Sequence, residues 1–339
     1  MVLVSQQPSQ LSVLVAGGAG YIGSHTAKVL SKAGMIPVVL DNLCTGNRDA
    51  VQFGPFYEGS IADAALVRRI QSEHNCAGAI LFAGHAYVGE STSNPRKYFR
   101  NNITDSIEFL NALLDCGMRN IVFSSSCSIY GLQEKIPINE ESTPDPLSPY
   151  AETKLFFEKV LKWYGSAYGL RYARLRYFNA SGADPEGQLG EDHDPETHLI
   201  PLTIHAAMGK GALRVFGTDY PTPDGTAIRD YAHVTDLADA HSRSLRHLIA
   251  GGDSLTLNLG AGTGHSVQDV INSVERVSGM PVPVEYGPRR EGDAPALVAD
   301  ARRALELLGW KPQHSSLETI VGTAWNWHTR RHGTMLQAL

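Results

Sequence analysis

Short apolar segments alternate with longer amphipathic segments through the first half of the chain. Brief apolar runs are typical of buried strands, whereas apolar residues at three- and four-residue spacings are typical of helices that pack on a sheet. The pattern predicts strands over 12–16, 36–41, 79–82, 120–124 and 172–176, and helices over 21–33, 62–73, 95–116 and 149–168. Strands that alternate with helices through right-handed crossovers predict an α/β fold with a doubly wound, parallel sheet of the Rossmann type.

The chain changes character after Asn179, where loops rich in glycine, proline and acidic residues cover 181–195 and 217–225. Such loops fit a smaller C-terminal domain placed over the carboxyl edge of the sheet. Because 255–260 is another apolar run, we expect the chain to return to the main sheet. We therefore predict a Rossmann domain of residues 1–178 plus about 228–262, and a substrate domain of 179–227 plus 263–339.

The composition excludes several classes of protein. With 339 residues, 42% of them hydrophobic and 19% charged, the chain has the balance of a globular enzyme large enough for two domains. A net charge of −6 without a basic cluster argues against a nucleic-acid partner. No apolar segment is long enough to cross a membrane, and the first residues do not have the pattern of a signal peptide. Four scattered cysteines favour reduced thiols, so we expect a cytoplasmic protein.

A glycine-rich turn follows the first predicted strand and precedes the first predicted helix. Gly17, Gly20 and Gly23 permit a tight turn, close approach of the backbone to a pyrophosphate, and close packing of helix on strand. The N-terminus of the helix then presents free N–H groups to phosphates. In this context the spacing predicts a dinucleotide-binding site.

The second predicted strand ends at Asp41, which lies 18 residues after Gly23. A carboxylate at this position can accept hydrogen bonds from an adenosine ribose, and it would repel the extra phosphate of NADP. No arginine follows at once to neutralise such a phosphate. The sequence therefore predicts NAD as the cofactor.

Tyr150 and Lys154 lie four residues apart on the helix predicted to start at Pro149, with Ser148 as a possible N-cap. They therefore share one helix face. Near pH 7 only about one free tyrosine in a thousand is ionised, but a nearby ammonium and the positive helix end can lower its pKa. Ser126 lies two residues beyond the strand predicted over 120–124, in a run of three serines. Its hydroxyl can bridge a substrate oxygen and the tyrosine. We predict Ser126, Tyr150 and Lys154 as a group for proton transfer.

An acidic and histidine-rich segment carries Glu191, Asp192, His193, Asp194 and His198. Its spacing matches no common metal-binding motif. Runs of charge of this kind are typical of a solvated loop, so we expect a loop and no metal site here.

Many of these motifs together resemble the extended short-chain dehydrogenase/reductase family. The resemblance covers about residues 11 to 312 and is carried by GGAGYIGSH (17–25), DNL (41–43), SSS (124–126), SPYAETK (148–154), RYFNASGADP (176–185), THLIP (197–201), GTDYPTPDGTAIRDY (217–231), NLG (258–260) and RREGD (289–293). It implies that the Rossmann domain binds NAD and that the smaller domain binds a nucleotide sugar.

The resemblance also implies the roles of individual residues. The residues that it implies for the cofactor are Gly17, Gly20, Tyr21, Ile22, Gly23, Asp41, Asn42, Ser60, Ile61, Phe82, Ala83, Gly84, Asn101, Asn102, Ser124, Tyr150, Lys154 and Tyr177. Those that it implies for the substrate are Ser126, Tyr150, Phe178, Asn179, His198, Leu199, Val215, Phe216, Arg229, Tyr231, Arg290, Asp293 and Leu297. Among the latter, guanidinium groups suit a diphosphate, and a carboxylate can accept hydrogen bonds from a ribose.

Three positions depart from the pattern of the family. Ser60 stands where relatives usually have an aspartate near the adenine, and Ala86 stands where some relatives have a lysine near the nicotinamide ribose. Leu297 occupies a position that is aromatic in some relatives and small in others. The first two departures concern cofactor contacts, and the third leaves the size of the accepted sugar open.

The resemblance implies an isomerase of galactose metabolism, dimeric in solution, that interconverts UDP-glucose and UDP-galactose through a 4-keto intermediate with tightly bound NAD. UDP-N-acetylhexosamines are further candidate substrates. The alternatives are a nucleotide-sugar dehydratase, an epimerase of UDP-glucuronate or a UDP-pentose, and a non-catalytic NAD-binding protein. A dehydratase needs an acidic pair directly after the hydroxyl residue, whereas Cys127 and Ser128 follow Ser126. Intact Ser126, Tyr150 and Lys154 argue against a non-catalytic protein.

Overall fold

The computed structural model describes residues 10–290 and 292–333. The strands in chain order are β1 (Ser12–Ala16), β2 (Ile36–Asp41), β3 (Phe56–Glu58), β4 (Gly78–Leu81), β5 (Asn120–Ser126), β6 (Arg171–Tyr177), β7 (Asn179–Ser181), β8 (Leu213–Phe216), β9 (Ile228–His233), β10 (Leu255–Leu259), β11 (Gly264–Ser266), β12 (Val284–Gly287) and β13 (Ala296–Leu297). The α-helices are α1 (Tyr21–Lys32), α2 (Ala64–His74), α3 (Val88–Ser93), α4 (Pro95–Tyr98), α5 (Ser106–Asp115), α6 (Pro149–Tyr168), α7 (Leu199–Ala207), α8 (Val234–Ile249), α9 (Val267–Ser278), α10 (Arg302–Leu308) and α11 (Leu317–His332).

The main layer is a seven-stranded sheet in the order β10-β6-β5-β4-β1-β2-β3, and every neighbouring pair is parallel. Both faces are covered: Leu14 and Phe157 belong to one apolar cluster, whereas Val15, Leu245 and Trp310 belong to the other. This arrangement confirms the predicted doubly wound parallel sheet. The order reverses at β1, so the crevice between the carboxyl ends of β1 and β4 is a ligand-binding position of such sheets.

The predicted strands agree with β1, β2, β4, β5, β6 and β10 to within one or two residues. The edge strand β3 was not predicted, because three half-exposed residues do not form an apolar run. The helix predicted over 149–168 has the same bounds as α6. Ser148 caps it by accepting a hydrogen bond from the N–H of Ala151, and Gly169 ends it in the left-handed conformation (φ +67°).

The prediction of one continuous α-helix over 95–116 is wrong for residues 99–105. Here α4 and α5 are joined by a π-helical segment, Phe99–Asp105. Asn102 lies in that segment and bonds both backbone groups of His85, accepting from its N–H (2.9 Å) and donating to its carbonyl (3.0 Å). A periodic apolar pattern does not report such a wide turn, which is frequent at functional sites.

A second, smaller layer lies beyond the carboxyl edge of the main sheet. It contains the sheet β11-β9-β13, to which β7 adds, and the two-stranded sheet β12-β8. Its apolar cluster includes Ile204, Val215, Tyr231 and Ile320. The chain returns to the main sheet through α8 and β10, which pairs with β6. The predicted domain limit at 228 falls at the start of β9, which pairs with the smaller layer.

Among the described residues, none of the helices combines the length and the apolar character that a membrane crossing requires.

Candidate active site

A cavity of about 1190 Å³ lies between the two layers, at the carboxyl ends of the parallel strands. Its wall contains the glycine turn with Asp41, the pair Ser126 and Tyr150, and the two arginines Arg229 and Arg290. The parallel register explains the convergence, because every strand of the main sheet ends at this edge. Such a cavity can hold a dinucleotide together with a second nucleotide.

The glycine turn has the geometry that a pyrophosphate requires. Gly17 has φ +82°, and a side-chain carbon there would collide with the backbone of Ala83. A side-chain carbon at Gly23 would collide with the carbonyl of Gly17, so this glycine allows close packing of α1 on the turn. At Gly20, apart from its neighbours in the chain, the only atom of the described residues within 4 Å of such a carbon is the Gly17 oxygen at 3.4 Å. The space beside Gly20 therefore opens into the cavity, where a phosphate can approach the backbone.

Asp41 ties this turn to the end of β2. Its carboxylate accepts hydrogen bonds from the N–H of Ala19 (2.9 Å) and of Leu43 (2.8 Å). Burial raises the pKa of Asp41, and the backbone donors oppose that rise. The carboxylate lines the cavity and has lone pairs left for ribose hydroxyls. This position fits NAD and would place a negative charge beside the extra phosphate of NADP.

Tyr150 and Lys154 lie on the face of α6 that meets the end of β5. Both are buried, and Lys154 Nζ donates to the carbonyl oxygen of Ser124 at 2.8 Å. The same Nζ lies 5.7 Å from the centre of the Tyr150 ring. Ser126, two residues beyond Ser124 on the same strand, lines the cavity beside Tyr150. The three side chains that the sequence singled out are therefore brought together.

The pKa of Tyr150 does not follow the expectation from the sequence. Burial raises it above its usual value, and the neighbouring Ser126 hydroxyl lowers it only in part. Burial also lowers the pKa of Lys154 to about 8, since the ammonium has lost most of its hydration. The expected lowering by Lys154 is absent because its Nζ turns toward the Ser124 carbonyl. Activation of the phenol thus depends on charge that ligands bring into the cavity.

A buried ionic network holds α6 against β5 and β6. Glu158 accepts hydrogen bonds from Arg176 Nε (2.9 Å), Arg176 Nη2 (2.6 Å) and Ser125 Oγ (2.6 Å). Arg176 Nη1 donates to the hydroxyl of Tyr130 at 2.8 Å. Because Ser125 lies between Ser124 and Ser126, this network fixes the strand end that faces Tyr150.

The guanidinium of Arg229 is held in the part of the wall that the smaller layer forms. Its Nη1 donates to the Ala294 carbonyl at 2.8 Å, and its Nη2 forms an ion pair with Asp293 Oδ1 at 3.2 Å. Arg290 lies over the Phe216 ring, 3.9 Å from its centre. Asn179 donates its side-chain amide to the backbone carbonyl of Asp230 (2.9 Å), which leaves its amide oxygen free to accept. Two guanidinium groups on one wall suit a diphosphate.

Most of the residues predicted for ligand binding line this cavity. They are Gly17, Gly20, Tyr21, Ile22, Gly23, Asp41, Asn42, Ser60, Ile61, Phe82, Ala83, Gly84, Asn101, Ser124, Ser126, Tyr150, Tyr177, Phe178, Asn179, His198, Arg229, Arg290, Asp293 and Leu297. Ala86 lines it as well, and the Ser124 and Tyr177 hydroxyls share a hydrogen bond of 2.6 Å. Their individual roles toward ligands stay predictions.

The other predicted residues do not contribute to the wall. Val215 and Tyr231 lie in the apolar core of the smaller layer, because strand alternation turns them away from the cavity. Leu199 begins α7 and packs against the same core, and Phe216 lies under Arg290. Asn102 and Lys154 act from behind the wall through the bonds described above.

Sequence reasoning missed some residues of the wall. Tyr87, Glu90 and Lys97 line the cavity, and Lys97 Nζ pairs with Glu90 Oε1 at 2.7 Å. Cys127 follows Ser126 on the wall, and burial raises the pKa of its thiol to about 12, so it is not a thiolate nucleophile. Tyr87, Glu90 and Lys97 follow Phe82, Ala83 and Gly84 closely in the chain, and this proximity is the signal that could have found them.

The segment at 191–198 is not the solvated loop that was expected. The side chains of Glu191 and Glu196 are only 4% and 6% exposed, and they meet His193 and His198. Although burial lowers them, contacts with Glu191 and Glu196 raise the pKa values of His193 to about 9 and of His198 to about 10. The segment folds back on itself, which a linear pattern of charge does not predict.

The glycine turn, the acidic end of β2 and the Ser–Tyr–Lys group on one parallel sheet define an enzyme of the short-chain dehydrogenase/reductase class. Comparison with known proteins narrows this class. Residues 13–260 match the model of the NAD dependent epimerase/dehydratase family. The chain belongs to that family, which confirms the predicted family and its NAD cofactor.

Relatives match over nearly the whole chain. A UDP-glucose 4-epimerase of Rhizobium leguminosarum bv. trifolii is 47% identical, over 94% of this chain and 98% of its own. The crystal structure of UDP-glucose 4-epimerase from Brucella ovis in complex with NAD is 49% identical, with a TM-score of 0.92, over 95% and 98% of the two chains. That of the Bifidobacterium longum UDP-glucose 4-epimerase in complex with NAD+ and UDP is 35% identical, with a TM-score of 0.90, over 95% and 99%.

Proposed function

We propose that this protein is a UDP-glucose 4-epimerase that interconverts UDP-glucose and UDP-galactose with NAD as a bound cofactor. The observation that carries the proposal is one cavity whose wall contains the dinucleotide turn, Tyr150 with Ser126, and two arginines. The family and the curated relatives support the same activity.

The cavity fits NAD at the glycine turn. The open space beside Gly20, the ribose acceptor Asp41 and the donor Lys154 are the groups that would hold its pyrophosphate and riboses. When bound, NAD supplies an acceptor for the hydride of carbon 4 of the sugar and returns the hydride to the ketone. Because the same NAD is used in both halves of the reaction, we expect it to stay bound through turnover.

Tyr150 is the group that moves the proton. Its phenol accepts the proton of the 4-hydroxyl when the alcohol is oxidised and donates it back when the ketone is reduced. Ser126 lies next to the phenol and steers the sugar oxygen toward it. Lys154 Nζ is held behind the wall by the Ser124 carbonyl at 2.8 Å, so the positive charge that favours the phenolate would come from a bound ligand. Burial keeps water away from both groups and strengthens these interactions.

Inversion requires the ketone to present its second face, so the sugar has to turn while the nucleotide stays in place. Arg229, Arg290 and Asp293 form the grip on the diphosphate and the uridine side. Their ion pair and backbone bonds fix that part of the wall. Leu297, the register partner of Arg229 on the neighbouring strand, presents an apolar side chain that makes no directional bond and so leaves the sugar free to turn.

The sequence leads us to expect a homodimer in the cytoplasm and some use of UDP-N-acetylhexosamines. Leu297 lines the cavity and packs on the cluster of Ile129 and Phe178, so its size sets the room for the sugar. An epimerase of UDP-glucuronate or of a UDP-pentose is the alternative within the family. It is less favoured because relatives that match this chain over nearly its whole length are UDP-glucose 4-epimerases.

A panel of UDP-sugars tests the proposal. The purified protein is incubated without added cofactor with UDP-glucose, UDP-galactose, UDP-glucuronate, UDP-xylose and UDP-N-acetylglucosamine, and products are separated by anion-exchange chromatography. We expect UDP-glucose and UDP-galactose to interconvert fastest, with one NAD released per chain on denaturation. Failure to convert either sugar, even with NAD supplied, would refute the proposal.

A further inference from the structure

We propose that Glu191, His193, Glu196 and His198 form a binding site for one divalent transition-metal ion, with Zn²⁺ as the best fit. The four residues, called here the His–Glu cluster, lie in the segment between β7 and α7 at the rim of the cavity. They offer one nitrogen or oxygen each, and the four atoms lie within 4.8 Å of one another.

The distances within the cluster suit a tetrahedral ion. His198 Nδ1 lies 2.8 Å from Glu191 Oε1 and 3.0 Å from Glu196 Oε1. His193 Nδ1 lies 3.3 Å from Glu191 Oε1 and 3.8 Å from Glu196 Oε2. Bonds of about 2.0–2.2 Å from Zn²⁺ to nitrogen and oxygen place neighbouring ligand atoms roughly 3.3–3.6 Å apart. The observed values fall on both sides of that range, so small rotations of the side chains would complete the site.

Two buried atoms of the cluster face ionisable neighbours but form no hydrogen bond of good geometry with the described residues. Glu191 is 3% exposed, yet its Oε1 has no hydrogen bond of good geometry in the described part of the chain, and the same holds for His193 Nδ1. Buried polar groups are normally bonded, so two such atoms that face each other require an explanation. A cation between them would satisfy both at once.

The surroundings separate the cluster from other charges. Asp192 turns away to Arg331 (3.1 Å) and Asn47 (3.1 Å), so it is not a candidate ligand. The Tyr21 and Tyr87 rings stand edge-on to His193, at 6.2 Å and 6.1 Å between centres. Binding of an ion displaces the protons that His193 and His198 hold at neutral pH, and two carboxylates with two neutral imidazoles then carry a charge of −2, which one divalent ion neutralises. Nitrogen and oxygen ligands without a thiolate favour Zn²⁺ or a related first-row ion over Ca²⁺.

The site has an entrance and a structural consequence. The side chain of His198 is 45% exposed and lines the cavity, so an ion can enter from that side. The four ligands come from eight consecutive residues that lead directly into α7. An ion here would fasten the rim of the cavity beside the glycine turn, so we expect it to stabilise the protein and to slow the loss of NAD.

The test uses the full-length holoenzyme with its purification tag removed. After treatment with a chelator and dialysis, the protein is equilibrated with Zn²⁺, and bound metal is measured by mass spectrometry of the element. We expect about one Zn²⁺ per chain, a higher Tm with Zn²⁺ than with chelator, and the visible spectrum of tetrahedral Co²⁺ after exchange.

Variants place the metal in the cluster. Loss of an outer partner weakens metal affinity roughly 10–100-fold, so we expect His193→Ala and Glu191→Gln, which remove direct ligands, to weaken it at least as much. His247→Ala, at a half-buried histidine near the end of α8 and outside the cluster, is the matched control and keeps the metal. If Glu191→Gln does not fold, Glu196→Gln replaces it. Absence of stoichiometric Zn²⁺ in the unsubstituted protein, or equal binding by these variants, would overturn the proposal.

Discussion

The buried pair of Glu158 and Arg176 yields a quantitative prediction. Both residues are almost fully buried, at 1% and 6% exposure, and two hydrogen bonds of 2.9 Å and 2.6 Å join them. Glu158→Gln keeps the shape of the side chain but leaves the guanidinium without a counter-charge. Removal of one partner of a buried ion pair costs about 3–5 kcal/mol. At about 2 °C per kcal/mol for a chain of this size, we expect Tm to fall by about 6–10 °C.

A double variant shows whether the lost charge balance is the cause. In Glu158→Leu/Arg176→Met neither charge remains, so we expect it to be more stable than Glu158→Gln, although Ser125 then loses its acceptor at a cost of about 1–3 kcal/mol. Glu152→Gln, an exposed position on the same helix, is the control and leaves Tm within about 1 °C. Melting is followed by circular dichroism at saturating NAD, so that cofactor loss does not contribute. A Glu158→Gln protein that melts like the control would refute the argument.

Three further predictions concern catalysis, specificity and pH. Tyr150→Phe lowers kcat by about 10²–10⁴ while a titration still detects UDP binding, and near-normal turnover would show that Tyr150 is not the proton-transfer group. Leu297→Ala raises the ratio of kcat/KM for UDP-N-acetylglucosamine to kcat/KM for UDP-glucose, and Leu297→Tyr lowers it. The change is tens to a few hundred-fold, because a pocket contact of this size contributes about 1–3 kcal/mol to discrimination between substrates. An unchanged ratio would contradict the role of Leu297 in the wall. Burial lowers the pKa of His241 to about 4 from 6.5, so the unfolded chain alone takes up this proton between those values and stability falls as pH drops through that window. His241→Leu should therefore flatten the dependence of Tm on pH between 6.5 and 4, and an unaltered slope would contradict it.

Features with local causes were predictable from the sequence. The bounds of α6 follow from Ser148, Pro149 and Gly169, which start and stop a helix through their own backbone preferences. The glycine turn follows from the same kind of preference, because Gly17 has to adopt a positive φ. The parallel sheet follows from apolar runs that alternate with amphipathic segments. Each of these inferences uses residues close together in the chain.

The surroundings of the site residues depended on the tertiary structure. The sequence indicated Tyr150 and Lys154, but the direction of the Tyr150 pKa follows from burial by elements distant in the chain. The π-helical turn at Asn102 follows from bonds to His85. Val215 and Tyr231 face the core because β8 pairs with β12 and β9 pairs with β7 and β13.

The sequence determined which chemical groups are present, whereas the fold decided which of them lose contact with water. Composition and motif spacing identified a dinucleotide turn and a proton-transfer group, because those functions need particular residue types at particular separations. The charged residues at 191–198 have the sequence of an exposed loop, yet the structure buries Glu191 beside His193 and His198. Which charges lose water depends on contacts among segments far apart in the chain, and desolvation in turn sets pKa values, ion pairs and possible metal ligands. The sequence therefore determined the chemical groups, and only the tertiary structure decided their electrostatic environment.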